Sequence, residues 1–278
     1  MNILDIIGNT PLMNIDNIYF KLESANPSGS IKDRIAKAMI LGLPMDKTCL
    51  AGHTIVEATS GNTGVSVAMV CASLGLRCVI YAPTNTSKSK IKMMKAYGAE
   101  VILIYDSIQD CINIATSVGK YKYHHYLDQF NNQLNITAQR EMADEARLQY
   151  NKAIHNSHPD ICFHSPDAIV TGVGTGGTLM GLHEAFPGAT IYMVQVPDGD
   201  SIEGICDGVR LSLIPRNLSL ISFVVSSADA KKEANNLAKK YGISCGISSG
   251  ANYNVAKIVR KFHNRVLTVF ADSGDRYP

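Results

Sequence analysis

The chain has 278 residues, 46% of them hydrophobic and 18% charged, with 26 basic against 24 acidic side chains. A formal charge of +2 without a long basic run argues against nucleic-acid binding, and apolar runs no longer than a strand argue against a membrane span. Seven cysteines (Cys49, Cys71, Cys78, Cys111, Cys162, Cys206 and Cys245), odd in number and without CxxC spacing, argue against a disulfide framework and point to reduced thiols in a cytoplasmic protein.

In chain order, "MNILDIIGNTPLM" has no positive n-region and meets Asp5 early, so neither a signal peptide nor an anchor is expected. Asn26, Pro27, Ser28 and Gly29 form a turn, Ser30 is the expected N-cap, and Lys32 falls in the first turn of an amphipathic helix carrying Ile31, Ile35, Met39 and Leu43. A cation is oddly placed at a helix start, where the dipole disfavours it. Lys32 is either a solvated surface lysine or one whose amine is neutral or tied up as an imine. The apolar run "TIVEAT" leads into Thr59, Ser60, Gly61, Asn62 and Thr63 and then a helix over Asn62 to Leu74. That turn offers hydroxyls, an amide and backbone N–H groups, which suits a carboxylate held without arginine. A well-capped helix with a tight turn is the alternative.

The runs "CVIYAP" and "EVILIY" flank a helix from Ser87 to Tyr97, whose lysines face away from Ile91 and Met94 as a solvated surface. His124 and His125 read as strand or loop residues, and a helix is expected over Asn135 to Tyr150. "NKAIHNSHPDICFHSP" reads as an exposed connection, and its His155, His158, Cys162 and His164 match no standard zinc spacing, so no metal is expected. "AIVTGVGTGGTLMG" then runs from a strand through glycines into a helix. Gly172, Gly174 and Gly177 satisfy GxGxxG, and Asp198 follows "IYMVQVP" where a dinucleotide fold places its ribose acid, which is the pattern of an NAD-dependent oxidoreductase. The hydroxyls of Thr175 and Thr178 suit a terminal phosphate monoester equally well. "ISFVV", helices over Ser227 to Tyr241 and Asn252 to Phe262, and "VLTVFA" complete the chain. Apolar strands alternating with helices predict an α/β fold with parallel sheets covered on both faces.

Together, "IGNTPL" (7–12), "NPSGSIKDR" (26–34), "TSGNTG" (59–64), "DQFNN" (128–132), "GVGTGGT" (172–178), "GISSGA" (246–251) and "SGDRY" (273–277) resemble the fold-type II pyridoxal-phosphate enzymes of the cysteine synthase and cystathionine β-synthase family. The resemblance implies two open, mainly parallel twisted sheets flanked by helices, in three-layer α/β/α lobes. It implies a smaller mobile domain over 33–128 and a larger cofactor-binding domain from 1–32 and 129–278. Lys32 would be the Schiff-base lysine and catalytic base, and Asn62 would bond the ring hydroxyl oxygen of pyridoxal 5'-phosphate. Gly174, Thr175, Gly176, Gly177 and Thr178 would cradle its phosphate, and Ser273 would face the pyridine nitrogen. Thr59, Ser60, Gly61, Thr63 and Gln129 would hold the amino-acid carboxylate.

The implied activity is β-replacement on O-acetylserine or O-phosphoserine through an α-aminoacrylate, forming cysteine from sulfide. Cystathionine β-synthase-like chemistry or release of hydrogen sulfide from cysteine are its near alternatives, and a homodimer is implied as well. Three features depart from the commonest pattern: "ITAQREMADEA" stands where a "TGPEIW"-like element is expected, the sequence ends directly after "SGDRYP", and Asp207 in "EGICDGV" occupies a position where relatives often carry a small residue. If this segment lines the site mouth, Asp207 would repel hydrosulfide and could orient a second substrate bearing an amine. A turn aspartate before Gly208 is the other reading.

Overall fold

The computed structural model describes residues 1–44, 52–105, 107–157, 165–205 and 212–277. They form two compact units, one made of Met1–Ile7 and Asn26–Asn135, the other of Gly8–Ala25 and Ile136–Pro278.

The first unit is built on four parallel strands. These are β3 (Thr54–Ala58), β4 (Arg77–Pro83), β5 (Glu100–Ile104) and β6 (His124–Tyr126), in the order β5-β4-β3-β6. Around them lie α1 (Lys32–Leu41), α2 (Asn62–Leu74), α3 (Lys88–Ala96) and α4 (Ile108–Val118). Every residue of β3 is buried. Val56 and Ala58 pack with Tyr81 against Cys111 and Ala115 of α4, and α2 covers β3 and β4 as well. A strand apolar along its whole length is the signature of a sheet with helices on both faces. Glu57 is the exception within it, a fully buried acid.

The second unit carries six strands in the order β1-β2-β10-β7-β8-β9, from β1 (Leu12–Ile15), β2 (Ile18–Leu22), β7 (Ala168–Gly172), β8 (Thr190–Gln195), β9 (Ile221–Val224) and β10 (Val266–Phe270). Among these six strands β1 and β2 alone pair antiparallel, through a turn in which Asp16 and Asn17 both take positive φ (52° and 64°). Side chains on one sheet face, among them Ala168, Val170 and Val194, pack with residues of α7 (Ser227–Tyr241) and α8 (Ile247–Val259). Ile191 and Met193 pack on the other with residues of α5 (Gln133–Ser157) and α6 (Gly177–Ala185). Both units are thus three-layered. "IGNTPL" is anchored here by a buried lysine: Lys21 Nζ reaches the Thr10 carbonyl, Glu145 at 3.1 Å and Gln149 at 3.0 Å.

Several expected boundaries shift. α5 continues through Ser157, so the first part of the expected exposed connection is helix, and "ITAQREMADEA" lies within it. α8 starts at Ile247, five residues before the expected start, so "GISSGA" is largely helical. The helix can approach α7 there because Gly250 has no side chain: a Cβ would lie 2.1 Å from the Ala230 carbonyl oxygen and 2.8 Å from the Ala234 nitrogen. Both obstacles are backbone. Gly250→Ala is expected to destabilise the protein by about 2–4 kcal/mol, because overpacking here must separate two helices. Thermal melting followed by circular dichroism checks this, and an unchanged midpoint would show that α7 gives way freely.

Candidate active site

In the first unit the turn after β3 is held by backbone and side-chain hydrogen bonds. Thr59 N–H donates to the Tyr81 carbonyl at 3.0 Å, Gly61 N–H donates to Thr59 Oγ1 at 3.1 Å, and Gly61 caps α2 without a side-chain hydrogen bond. Thr63, buried in the first turn of α2, donates through Oγ1 to Gln129 Oε1 at 2.7 Å. Gln129 Nε2 donates in turn to the Ala58 carbonyl at 3.2 Å. Ser60 is exposed and Asn62 half-buried at the helix start. The structure therefore joins two predicted residues far apart in sequence, Thr63 and Gln129, in one buried link. A helix start of this kind concentrates partial positive charge and accommodates a carboxylate.

Lys32 is the first residue of α1 and half-buried. The residue before it, Ile31, is the cap, so Ser30 does not take that position as expected; its Oγ still accepts the Lys32 N–H at 3.3 Å. Asp33 organises the preceding turn. Its carboxylate accepts the Ser28 N–H at 2.7 Å and the Ser28 hydroxyl, and Ser28 Oγ lies 3.2 Å from Ser66 Oγ on α2. Gly29 closes the turn at φ +85°. The turn that precedes Lys32 is thus tied to the helix that begins at Asn62. Sequence reading passed over Asp33, although an acid in a first helical turn just after a Ser–Gly turn is a recognisable bracing pattern.

In the second unit β7 and β10 are neighbours and parallel, so Val173–Thr178 and Ala271–Ser273 emerge at the same end of the sheet. Asn252 joins them, accepting the Gly172 N–H at 2.7 Å and donating to the Val269 carbonyl at 2.9 Å. Gly172 N–H is thereby committed, and the anion loop proper is Gly174–Thr178. Gly176 sits at φ +92° as the cap of α6, and Gly177 N–H points to Thr175 Oγ1 at 3.4 Å. A Cβ on Gly174 would lie 2.8 Å from the Gly204 carbonyl oxygen, and one on Gly176 would meet Ile214. A side chain fits at neither of these two positions. Backbone N–H groups at the start of α6, with two threonine hydroxyls, make a cradle of the chemistry a phosphate monoester needs, and the residues present therefore fit the phosphate of pyridoxal phosphate.

Ser273 is half-buried, three residues beyond β10. The segment leading to it rests on the start of α8: Gly246 N–H donates to the Asp272 carbonyl at 3.1 Å, and Ala271 N–H donates to Ser249 Oγ at 3.1 Å. A Cβ on Gly246 would collide with the Asp272 carboxylate, which accounts for the glycine that opens "GISSGA". Asp198 is exposed beyond β8. Asp207 lies outside the described residues, as do His158, Cys162 and His164. The described cysteines, Cys71, Cys78, Cys111 and Cys245, are buried free thiols. Among the described residues no helix is long and apolar enough to cross a membrane.

Comparison with known proteins agrees with this geometry. The family model described as pyridoxal-phosphate dependent enzyme matches residues 3–272. Cysteine synthase B of Pseudomonas aeruginosa is 32% identical over 298 residues, covering 99% of this chain and 95% of the relative. The crystal structure of O-ureido-L-serine synthase superposes with a TM-score of 0.85 at 29% identity, over 99% of this chain and 92% of that one. That of a hydrogen sulfide-producing enzyme from Fusobacterium nucleatum gives 0.82 at 31% identity, over 99% of both chains. With two sheets of the expected architecture, a glycine cradle at the start of α6 and a lysine opening α1, the chain belongs to the fold-type II pyridoxal-phosphate-dependent enzymes of the cysteine synthase family.

Proposed function

We propose that the chain is a cysteine synthase, which replaces the β-substituent of O-acetylserine or O-phosphoserine with sulfide to form L-cysteine. The observation that carries this reading is Lys32 at the first position of α1, behind a turn braced by Asp33, in a chain that matches the family almost end to end. When bound, pyridoxal phosphate supplies an electron-withdrawing ring joined to the substrate nitrogen, which acidifies the α-carbon. Lys32 Nζ would hold the cofactor and, as a free amine, would take the proton from the substrate α-carbon and later return it. Thr59, Ser60, Gly61, Thr63 and Gln129 hold the substrate carboxylate, so the α-proton is presented to that amine in a fixed direction.

Asn62 would hold the ring hydroxyl oxygen, and Gly174, Thr175, Gly176, Gly177 and Thr178 would hold the phosphate. Ser273 would offer the pyridine nitrogen a neutral hydroxyl, and a ring held by a neutral group is a weaker electron sink, which would favour loss of a β-substituent over transamination. The same reading carries a cytoplasmic homodimer, with 33–128 as the smaller mobile domain and 1–32 and 129–278 as the larger one. A second reading, in which the incoming group belongs to an amine-bearing substrate such as cysteine or homocysteine, would hold if the segment carrying Asp207 lines the mouth, since a carboxylate there would repel hydrosulfide.

The test is the visible spectrum of the purified holoenzyme titrated with O-acetylserine, O-phosphoserine and cysteine, followed by sulfide or homocysteine. A violet band that shifts on addition of an O-substituted serine and recovers with sulfide, releasing cysteine, is expected. Recovery with homocysteine alone would replace the cysteine synthase reading with the second one, and a spectrum indifferent to every donor would remove both.

A further inference from the structure

Alternate residues of β3 address opposite neighbours. The Thr59 N–H donates to Tyr81 of β4, whereas the Val56 carbonyl accepts the Leu127 N–H just past β6, so Ala58 turns its N–H and C=O toward the β6 side. β6 has ended by then. Its last residue is Tyr126, and the Leu127 carbonyl accepts the Asn132 side chain at 2.8 Å. Ala58 is fully buried, and water cannot make up for the missing strand.

Two side chains meet these groups instead. Glu57 Oε1 accepts the Ala58 N–H at 2.8 Å, and Gln129 Nε2 donates to the Ala58 carbonyl at 3.2 Å. Gln129 is itself held by Thr63 at 2.7 Å and by Asn135, which donates to its carbonyl at 2.9 Å. One buried chain thus runs from Glu57 through the Ala58 peptide and Gln129 to Thr63. The other Glu57 oxygen has no hydrogen-bond partner among the described residues, and neither does the buried Tyr126 hydroxyl. An acid buried to this degree is costly, and packing alone would be served by an apolar residue.

We propose that Glu57 is a positioning residue for the amino-acid substrate, holding the Ala58 peptide where β6 stops and so fixing, through Gln129 and Thr63, the turn that receives the substrate carboxylate. The inference rests on the role given to that turn under the proposed function. Glu57 touches no reacting atom. Its removal should loosen the turn and weaken substrate binding while leaving the phosphate cradle and Lys32 intact.

The experiment compares the holoenzyme with Glu57→Leu, which lacks an acceptor, and Glu57→Gln, which keeps one in place. Should the leucine variant not fold, Glu57→Met takes its role. Deuterium uptake across 58–63 without substrate is expected to quicken about tenfold in the leucine variant and to stay within about threefold of wild type in the glutamine variant. The donor concentration at half-completion of the spectral change should rise by about the same factors, with cofactor content unchanged. Wild-type exchange and titration in the leucine variant would overturn the proposal, as would equal losses in both variants or loss of cofactor alongside the weaker binding. A wild-type enzyme that ignores every donor counts against the proposed function alone, and the exchange data still decide the role of Glu57.

Discussion

Lys32→Ala is expected to lose the violet absorption of the lysine-bound cofactor and to retain less than about one thousandth of the wild-type turnover, while melting within about 1 kcal/mol of it. The two halves of this result have separate causes. Activity falls because the amine both carries the cofactor and moves the α-proton, and no backbone group can do either. Stability persists because the side chain is half-buried at a helix start, where a cation opposes the dipole and alanine is a better helix former. Asp33, Ser28 and Gly29 keep the turn without it. The checks are rapid-mixing measurement of product formation and a thermal melt of the same preparation. Residual turnover within tenfold of wild type would move the base to another residue and undo the assignment.

A second large effect concerns Glu57 and pH. Burial, with a smaller push from the Asp128 carboxylate, raises its pKa from the ordinary 4.5 to about 8, against the pull of the Ala58 and Gln129 N–H groups. The nearby Tyr126 phenol is also raised, chiefly by burial. Between 4.5 and about 8 the folded protein holds a proton on Glu57 that the unfolded chain releases, so this contribution is complete below 4.5 and is lost as pH rises through about 8. Glutamine mimics the neutral acid and carries no such dependence. Glu57→Gln should therefore melt close to wild type near pH 5 and be more stable by about 4 kcal/mol near pH 8.5, a gain of several degrees in Tm. Melting curves taken at intervals across this window check the slope. Parallel pH profiles for the two proteins would mean that Glu57 is ionised in the folded state throughout.

The two predictions also divide what could be read from residues alone from what could not. The runs of β3, β4, β5 and β7 to β10 are legible because each is mostly apolar and stops at glycine, proline or polar turns; β3, β4, β7, β8 and β10 are largely buried, whereas the edge strands β5 and β9 are not. β1 and β2 are not legible in the sequence because their hairpin is short and carries a lysine, which reads as surface although Glu145 and Gln149 surround it in the fold. β6 is three residues of histidine and tyrosine, and only its pairing with β3 makes it a strand.

The glycine cradle and the lysine are local features, each defined within a few consecutive residues, and a local pattern survives in the sequence. By itself the sequence determined the class of fold, the family resemblance, and the lysine and loops on which the proposed chemistry depends. Only the tertiary structure decided that Asp33 braces the turn before Lys32, that Asn252 joins the ends of β7 and β10, and that Glu57 and Gln129 replace a missing strand beside Ala58. The reason is geometric: apart from the Asp33 brace, these contacts either join residues tens of positions apart or, as with Glu57, answer to where a neighbouring strand ends, and neither distance nor strand length across a sheet is written in the order of the chain.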